Sequence, residues 1–225
     1  MKKRIKIDSS ILSFVIVLTG FLYVFPGLYS QSKGVDNALD ILGILCIIKG
    51  VLIRMAARGH KKKFYKKGGD LVTSGLYSLV RNPMYLGSCS LGIGFVLLVW
   101  PWWSVPIFLW LFYIRFNKQV VKEEELLGEL FGQKYKNYCK GTPRVFPSIK
   151  KCLEVKTKEI IDVKELFSTK EIRGLLTWPL LAVVLEYFQE KVVFKSADLN
   201  QIVGTFLGAI VVYLIVVVAY YHLRK

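Results

Sequence analysis

The sequence holds two histidines, four cysteines and half as many acidic residues as basic ones, 16 against 32. Each shortage excludes something. His60 and His222 stand at the ends of apolar runs with no nucleophile beside them, so neither is expected to act as a general acid or base. Cys46, Cys89, Cys139 and Cys152 form no C-x-x-C and have no histidine at ligand spacing, which argues for free thiols without a disulfide or zinc role; no metal site is expected. The pI of about 9.7 does not signal nucleic acid. The basic residues fall in the gaps between apolar runs and form no helix-turn-helix, zinc-finger or ribonucleoprotein-type pattern. Strands alternating with helices are missing too. The sole Gly-x-Gly, Gly92-Ile93-Gly94, lies inside an apolar run with no strand before it, so close helix packing explains it better than a doubly wound nucleotide-binding core.

What is present is apolar. A 225-residue chain with 53% hydrophobic residues and formal net charge +16 is too apolar for an ordinary soluble domain and too charged for lipid filler. The reading is all-α: a polytopic membrane helix bundle of about six spans, near residues 10–29, 38–57, 84–100, 102–121, 173–190 and 201–221. The first run is long and "FPGLYS" has no small-x-small cleavage site, so it reads as a retained anchor. Lysines and arginines crowd the N-terminus, the 58–82 and 122–171 segments and the closing "HLRK", whereas "SQSKGVDN", "WPWW" and "EKVVFKSADLNQ" carry few. The positive-inside rule then puts both termini in the cytoplasm.

Between the third and fourth spans lie little more than Pro101, Trp102 and Trp103, which demands a tight helical hairpin. Its two open ends must emerge close together. One is "LYSLVRNPMYLG", where Asn82 is placed to cap a helix and Pro83 to take its first turn. The other leads into "KEEELLGELFGQKYKNYCK", residues 122–140, where Leu127, Phe131, Tyr135 and Tyr138 recur at helical spacing; a cytoplasmic amphipathic helix on the membrane surface is expected. Four residues before Leu127 stands Glu123, and three before it Glu124. An acidic run is ordinarily a solvated face, but a carboxylate aligned with Leu127 points inward and needs a cationic or donor-rich partner. Lys49 and Glu186, inside spans, read as snorkelling side chains. Gly204 and Gly208 make a G-x-x-x-G packing face that could join a second copy as a homo-oligomer.

"LVTSGLYSLVRNPMYLG", a hydrophobic hairpin and then "EEELLGELFGQKYKNYCKGTPRVFP" resemble the isoprenylcysteine carboxyl methyltransferase and phospholipid methyltransferase family of integral-membrane enzymes. The resemblance covers roughly residues 36–147. It implies S-adenosylmethionine as cofactor and methyl donor, in a cytosol-facing pocket roofed by the segment after the hairpin. Carried onto this sequence, the cofactor contacts fall on Gly69, Asp70, Leu71, Val72, Tyr77, Asn82, Pro83, Met84, Tyr85, Glu123 and Glu124, with Arg81, Asn82 and Glu123 as the catalytic group. A glutamate suits the donor's amine or diol, backbone N–H groups at a helix start its carboxylate, and tyrosine faces its adenine or sulfonium. The acceptor implied is a membrane lipid or lipidated molecule.

Two departures stand out. The family's eukaryotic His-Pro is Asn82-Pro83 here, as in many bacterial members, which favours a bacterial inner membrane over endoplasmic reticulum. The arginine found four residues before the acidic pair in prenylcysteine-type members is Gln119, which weakens the case for a prenylcysteine carboxylate; Arg115 and Arg144 are its candidate replacements, with interface anchoring as their ordinary role. Around a 36–147 core the chain divides into a 1–35 anchor, a 148–171 basic connector and a 172–225 transmembrane hairpin. Two other functions compete: a sterol- or isoprenoid-type reductase using NADPH, and a non-enzymatic transporter or scaffold that would leave Glu123 and "RNPMY" idle.

Overall fold

The computed structural model describes residues 14–29, 32–65, 69–148, 169–195 and 198–223, and among these there is helix and no strand. Helix α1 covers residues 14–24, α2 Lys33–Tyr65, α3 the single turn Leu76–Leu79, α4 Pro83–Val99, α5 Val105–Gly141, α6 Gly174–Gln189 and α7 Leu199–Leu223. Each of the six expected apolar stretches is thus occupied by helix. Lys2 to Lys6, Cys152 and most of the basic connector lie outside the described residues. The three described cysteines, Cys46, Cys89 and Cys139, are free thiols.

The principal packing is α2 against an antiparallel α4, and glycine makes it possible. A Cβ on Gly50 would lie 2.7 Å from the Gly87 carbonyl oxygen, and one on Gly87 2.8 Å from that of Gly50. Seven residues along each helix the pattern repeats, Gly43 at 2.9 Å and Gly94 at 2.5 Å from each other's carbonyls. The two backbones therefore touch at two points, the close approach that small residues permit in helix pairs. Gly92 faces the other way and receives the Phe108 ring of α5. Packing accounts for the Gly-x-Gly as expected. Around this seam Ile44, Ile47, Val51 and Met55 of α2 meet Leu91 and Leu98 of α4, Ala182 of α6 and Ile202, Phe206 and Ala209 of α7. At Gly204 and Gly208, by contrast, an added Cβ would meet nothing within 4 Å among the described residues.

The Trp102–Ser104 turn closes the α4–α5 hairpin, so Tyr85 and Phe116 come together edge-to-face with ring centroids 5.3 Å apart. Three expectations change. The span near 102–121 runs without a break into the amphipathic segment 122–140, and the helical backbone is interrupted instead inside that segment, at Gly132, with φ 50° and ψ −122°, a conformation glycine alone adopts freely, so α5 is two helical arms joined at a kink. Asn82 does not cap α4 through its side chain, although Pro83 does open the helix; the amide is drawn instead to Glu124 and the Arg144 carbonyl. Lys49 is exposed, as snorkelling predicts, but Glu186 is only 2% exposed and does not snorkel.

Among the described residues no helix is long and apolar enough to cross a membrane. Helices α4 and α6 have 17 and 16 residues, short of the roughly 20 that a span needs. Helices α2 and α5 are longer but carry Lys49 and Arg54, or Arg115 and Lys118, inside their apolar stretches.

Candidate functional site

A cavity of about 480 Å³ opens where the far end of α2, the start of α4 and the middle of α5 converge. The hairpin delivers two walls, because it brings Asn82 to Tyr85 beside Arg115, Gln119 and Glu123. Helix α2 supplies the third, with Arg54, Arg58 and Lys61 on successive turns. Tyr77, Arg81, Ser88, Phe116 and Leu127 complete it.

The two neighbouring glutamates have different fates. Glu123 stands at the cavity rim, where its Oε1 accepts hydrogen bonds from the Tyr85 hydroxyl at 2.9 Å and from Gln119 at 3.1 Å. Glu124 turns into the protein. Its Oε2 accepts from Arg144 Nε at 3.0 Å and Nη2 at 2.8 Å, and its Oε1 pairs with Arg81 Nη1 at 3.2 Å and Asn82 Nδ2 at 3.3 Å. The inward carboxylate that needs a cationic partner is thus Glu124, and the cavity carboxylate is Glu123. Burial is the largest single influence on Arg81 and works against its charge, but the Glu124 carboxylate, the hydrogen-bonded Cys139 thiol and the Tyr135 hydroxyl together outweigh it and push the guanidinium pKa up.

Backbone bonds fasten the "RN" of the motif to the chain beyond the bend in α5: Arg81 N–H donates to the Pro143 carbonyl at 2.9 Å and Asn82 N–H to that of Arg144 at 3.1 Å. The Tyr138 hydroxyl donates to the Tyr77 carbonyl at 2.5 Å. Burial first, and then the nearby Glu123 carboxylate, pushes the Tyr77 hydroxyl up to about 12. Burial also raises Tyr138, and Tyr135 to about 12, so all three stay neutral at physiological pH.

Of the residues expected at the site, Tyr77, Arg81, Asn82, Pro83, Met84, Tyr85, Arg115, Gln119 and Glu123 share this cavity. Gly69 to Val72 do not line it. Gly69 is at φ 78°, Asp70 is exposed and drawn to Lys134 at 3.4 Å, and Leu71 is buried. The start of α4 is a poorer anion site than expected, since Pro83 has no N–H and the Tyr85 and Leu86 N–H groups both donate to the Asn82 carbonyl. Positive charge comes instead from Arg54, Arg58 and Lys61, of which sequence reasoning used Arg58 and Lys61 as topology signals and gave Arg54 no role. Arg54 reaches Glu171 at 3.1 and 3.2 Å and Ser88 at 2.5 Å, and Arg58 reaches Glu171 at 3.2 Å. Only the i, i+4, i+7 spacing of Arg54, Arg58 and Lys61 announced that they share a face. The His60 ring lies under Gly75, at φ 62°, and its Nε2 is 2.9 Å from the Ser74 hydroxyl.

A second cavity, about 240 Å³ and almost wholly apolar, adjoins the first through the shared Tyr85 and Phe116. Leu109, Phe112, Tyr113 and Phe146 line it, and Arg144 stands at its edge.

The family described as phospholipid methyltransferase matches residues 39–134, a stretch that holds both walls of the hairpin. The chain is 30% identical over 147 residues to protein-S-isoprenylcysteine O-methyltransferase A of Arabidopsis thaliana, covering 62% of this chain and 72% of that one. It is 34% identical over 125 residues to the Saccharomyces cerevisiae protein-S-isoprenylcysteine O-methyltransferase, with 52% of each chain covered, and 30% identical over 116 residues to that of Schizosaccharomyces pombe, with 48% of each covered. The chain spans about half the length of these two yeast relatives. No solved structure matches it.

Proposed function

The chain belongs to the family of isoprenylcysteine and phospholipid methyltransferases, and we propose that it transfers a methyl group from S-adenosylmethionine to a lipid-like acceptor at a membrane. The observation that carries this is the pair of joined cavities, one polar and charged, the other apolar, meeting at Tyr85 and Phe116.

The residues of the polar cavity fit the donor. Its volume lies within the roughly 300–1,000 Å³ of small-molecule sites. Glu123, with Tyr85 and Gln119 holding its carboxylate in place, would take the amine or ribose diol; Arg54, Arg58 and Lys61 would take the carboxylate; and the rings of Tyr77, Tyr85 and Phe116 would face adenine or the sulfonium. When bound, S-adenosylmethionine supplies an electrophilic methyl group on sulfur. The protein's part is then positioning and exclusion of water more than acid–base work. Arg81 and Asn82, expected to be catalytic, act here by fixing Glu124 and the Pro143–Arg144 backbone, which sets the angle of the cavity's α4 wall. The apolar groove suits a lipid chain, and the acceptor's reacting group would lie at the Tyr85–Phe116 junction.

Large apolar side chains exposed on α5 (Trp110, Ile114), α6 (Leu180, Phe188) and α7 (Leu207, Ile215) favour a bilayer around the bundle, since patches of this kind mark membrane or protein contact. In that placement both termini and the basic end of α2 face the cytoplasm. Cysteines introduced at positions 34 and 197 should label from outside and those at 63 and 156 should not; the reverse pattern would remove the cavity from the cytosolic side.

Calorimetric titration of the purified protein in detergent with S-adenosylhomocysteine and with NADPH tests the reading. Binding of the first alone is expected. Binding of NADPH alone indicates a reductase, and binding of neither indicates a transporter or scaffold. Gln119 leaves the cavity without a planar cationic fork at that position, so an aminophospholipid should be methylated in preference to a prenylcysteine analogue, and Gln119→Arg should shift turnover toward the prenylcysteine. If the wild type already methylates prenylcysteine and loses that on Arg115→Ala, the carboxylate-reading arginine has moved one turn along α5.

A further inference from the structure

Four carboxylates meet at the other end of α2. Asp36 and Asp40 come from its first turns, Glu186 from α6, and Glu190 from the π-helical turn Glu190–Phe194 that follows α6. Carboxylate oxygens of Asp36, Glu186 and Glu190 lie within 4.8 Å of one another. Asp36 and Arg54 are 18 residues apart on α2, about 27 Å at 1.5 Å per residue, so this cluster is remote from the methyl-transfer cavity.

Acidic groups often cluster at surfaces without consequence, but this one is not at the surface. Glu186 is 2% exposed and Asp40 5%. Neither carboxylate oxygen of Glu186 receives an N–H or hydroxyl donor; the side chain within hydrogen-bonding reach is another carboxyl, Asp40, and Glu186 lines a void of about 10 Å³ with Asp40, Glu190, Asn37 and Gln201. A void of that size holds one atom-sized occupant. A buried carboxylate without a donor or counter-charge is too costly to persist. The nearest cation along the adjoining 160 Å³ cavity is Lys33, which faces Asp36, Glu190 and Asp198 on its outer side and is not among the residues lining the inner void.

The geometry points to a divalent-cation site between the start of α2 and the end of α6, with Asp36, Glu186 and Glu190 as its carboxylate ligands. Oxygen donors alone, carboxylates with the amides of Asn37 and Gln201 beside them, suit a hard ion such as Ca²⁺ or Mn²⁺ rather than a thiolate- or imidazole-seeking metal. The sequence concealed the site because its ligands come from positions 150 residues apart and because a lone glutamate near a helix end reads as snorkelling.

The test uses the full chain purified in detergent and stripped with chelator. Mn²⁺ should bind at one site, read by loss of the free-ion paramagnetic resonance signal, and Ca²⁺ should compete for it. Asp36→Asn and Glu190→Gln, both at partly exposed positions, should each weaken Mn²⁺ by roughly tenfold or more while helix content by circular dichroism is unchanged. Glu186→Gln should abolish binding. Wild-type Mn²⁺ affinity in the Asp36→Asn/Glu190→Gln double variant, or no binding by the wild type up to about 1 mM, the weak end of protein calcium sites, overturns the proposal and leaves the carboxyls a shared proton instead.

Discussion

At one end of α2 the buried acids are matched, and at the other they face each other. Glu124 receives Arg81 and Arg144, and Glu171 receives Arg54 and Arg58. Glu186, Asp40 and their neighbours receive no such partners in the inner void. The same residue type therefore does opposite work along one helix. Where arginines come from three chain segments, a carboxylate acts as a structural knot; where carboxylates gather alone, they define a place for something else.

The sharpest way to break this contrast is the same substitution at both ends. Glu124→Gln should cost about 3 kcal/mol of stability, the lower end of the range for breaking a buried pair because its arginines are partly exposed. Glu186→Gln in chelator should cost little, since the carboxyl has no cationic partner to lose and without an ion it is held neutral by a proton. Equal losses in thermal melts would erase the distinction between the two ends. Next in size is the seam that joins them: Gly94→Ala forces a Cβ against the Gly43 carbonyl and should cost about 2 kcal/mol, typical of overpacking, whereas Gly204→Ala should be silent in the same melts.

Smaller effects sharpen the matched end. Glu123→Gln should weaken S-adenosylhomocysteine by roughly tenfold, about 1.4 kcal/mol for a charge-assisted hydrogen bond; Glu125→Gln, outside the cavity, should change little. Equal effects would mean that the acidic run is only a solvated face. Smallest is a pH effect. The Tyr77 hydroxyl, near 12 when folded against an ordinary value of 10.0, contributes stability that is full below pH 10 and lost as pH rises toward 12. Phenolate absorbance should show this tyrosine titrating late, and Tyr138→Phe, which releases the Tyr77 carbonyl, should bring the transition earlier.

Much of the site was legible because it is built from local rules. A three-residue hairpin turn fixes Asn82–Tyr85 beside Phe116, and helical spacing from Gln119 through Glu123 to Leu127 puts all three on one cavity wall. Long-range pairing was not legible: nothing in the sequence couples Arg54 to a glutamate 117 positions later. The alignment with Leu127 singled out Glu123 as the inward carboxylate with a cationic partner, yet that carboxylate is Glu124, because neighbours on a helix differ by about 100° and Arg144 returns to Glu124 only where Gly132 redirects the chain. The all-helical class followed from apolar periodicity. That the break in α5 falls at Gly132 and not at Lys122 was hidden, because a change of composition at Lys122 looks like a boundary while the backbone runs straight through it.

Glu171 stands just ahead of α6, beyond the residues 39–134 that match the family, yet its carboxylate grips two arginines in the wall of the polar cavity. The last two helices are thus an appendage riveted to the place where charge on the cavity wall is set. Removing them would unmask two guanidinium groups toward an incoming anion. A shortened chain would then differ in the sign of charge its cavity prefers, and not merely in length.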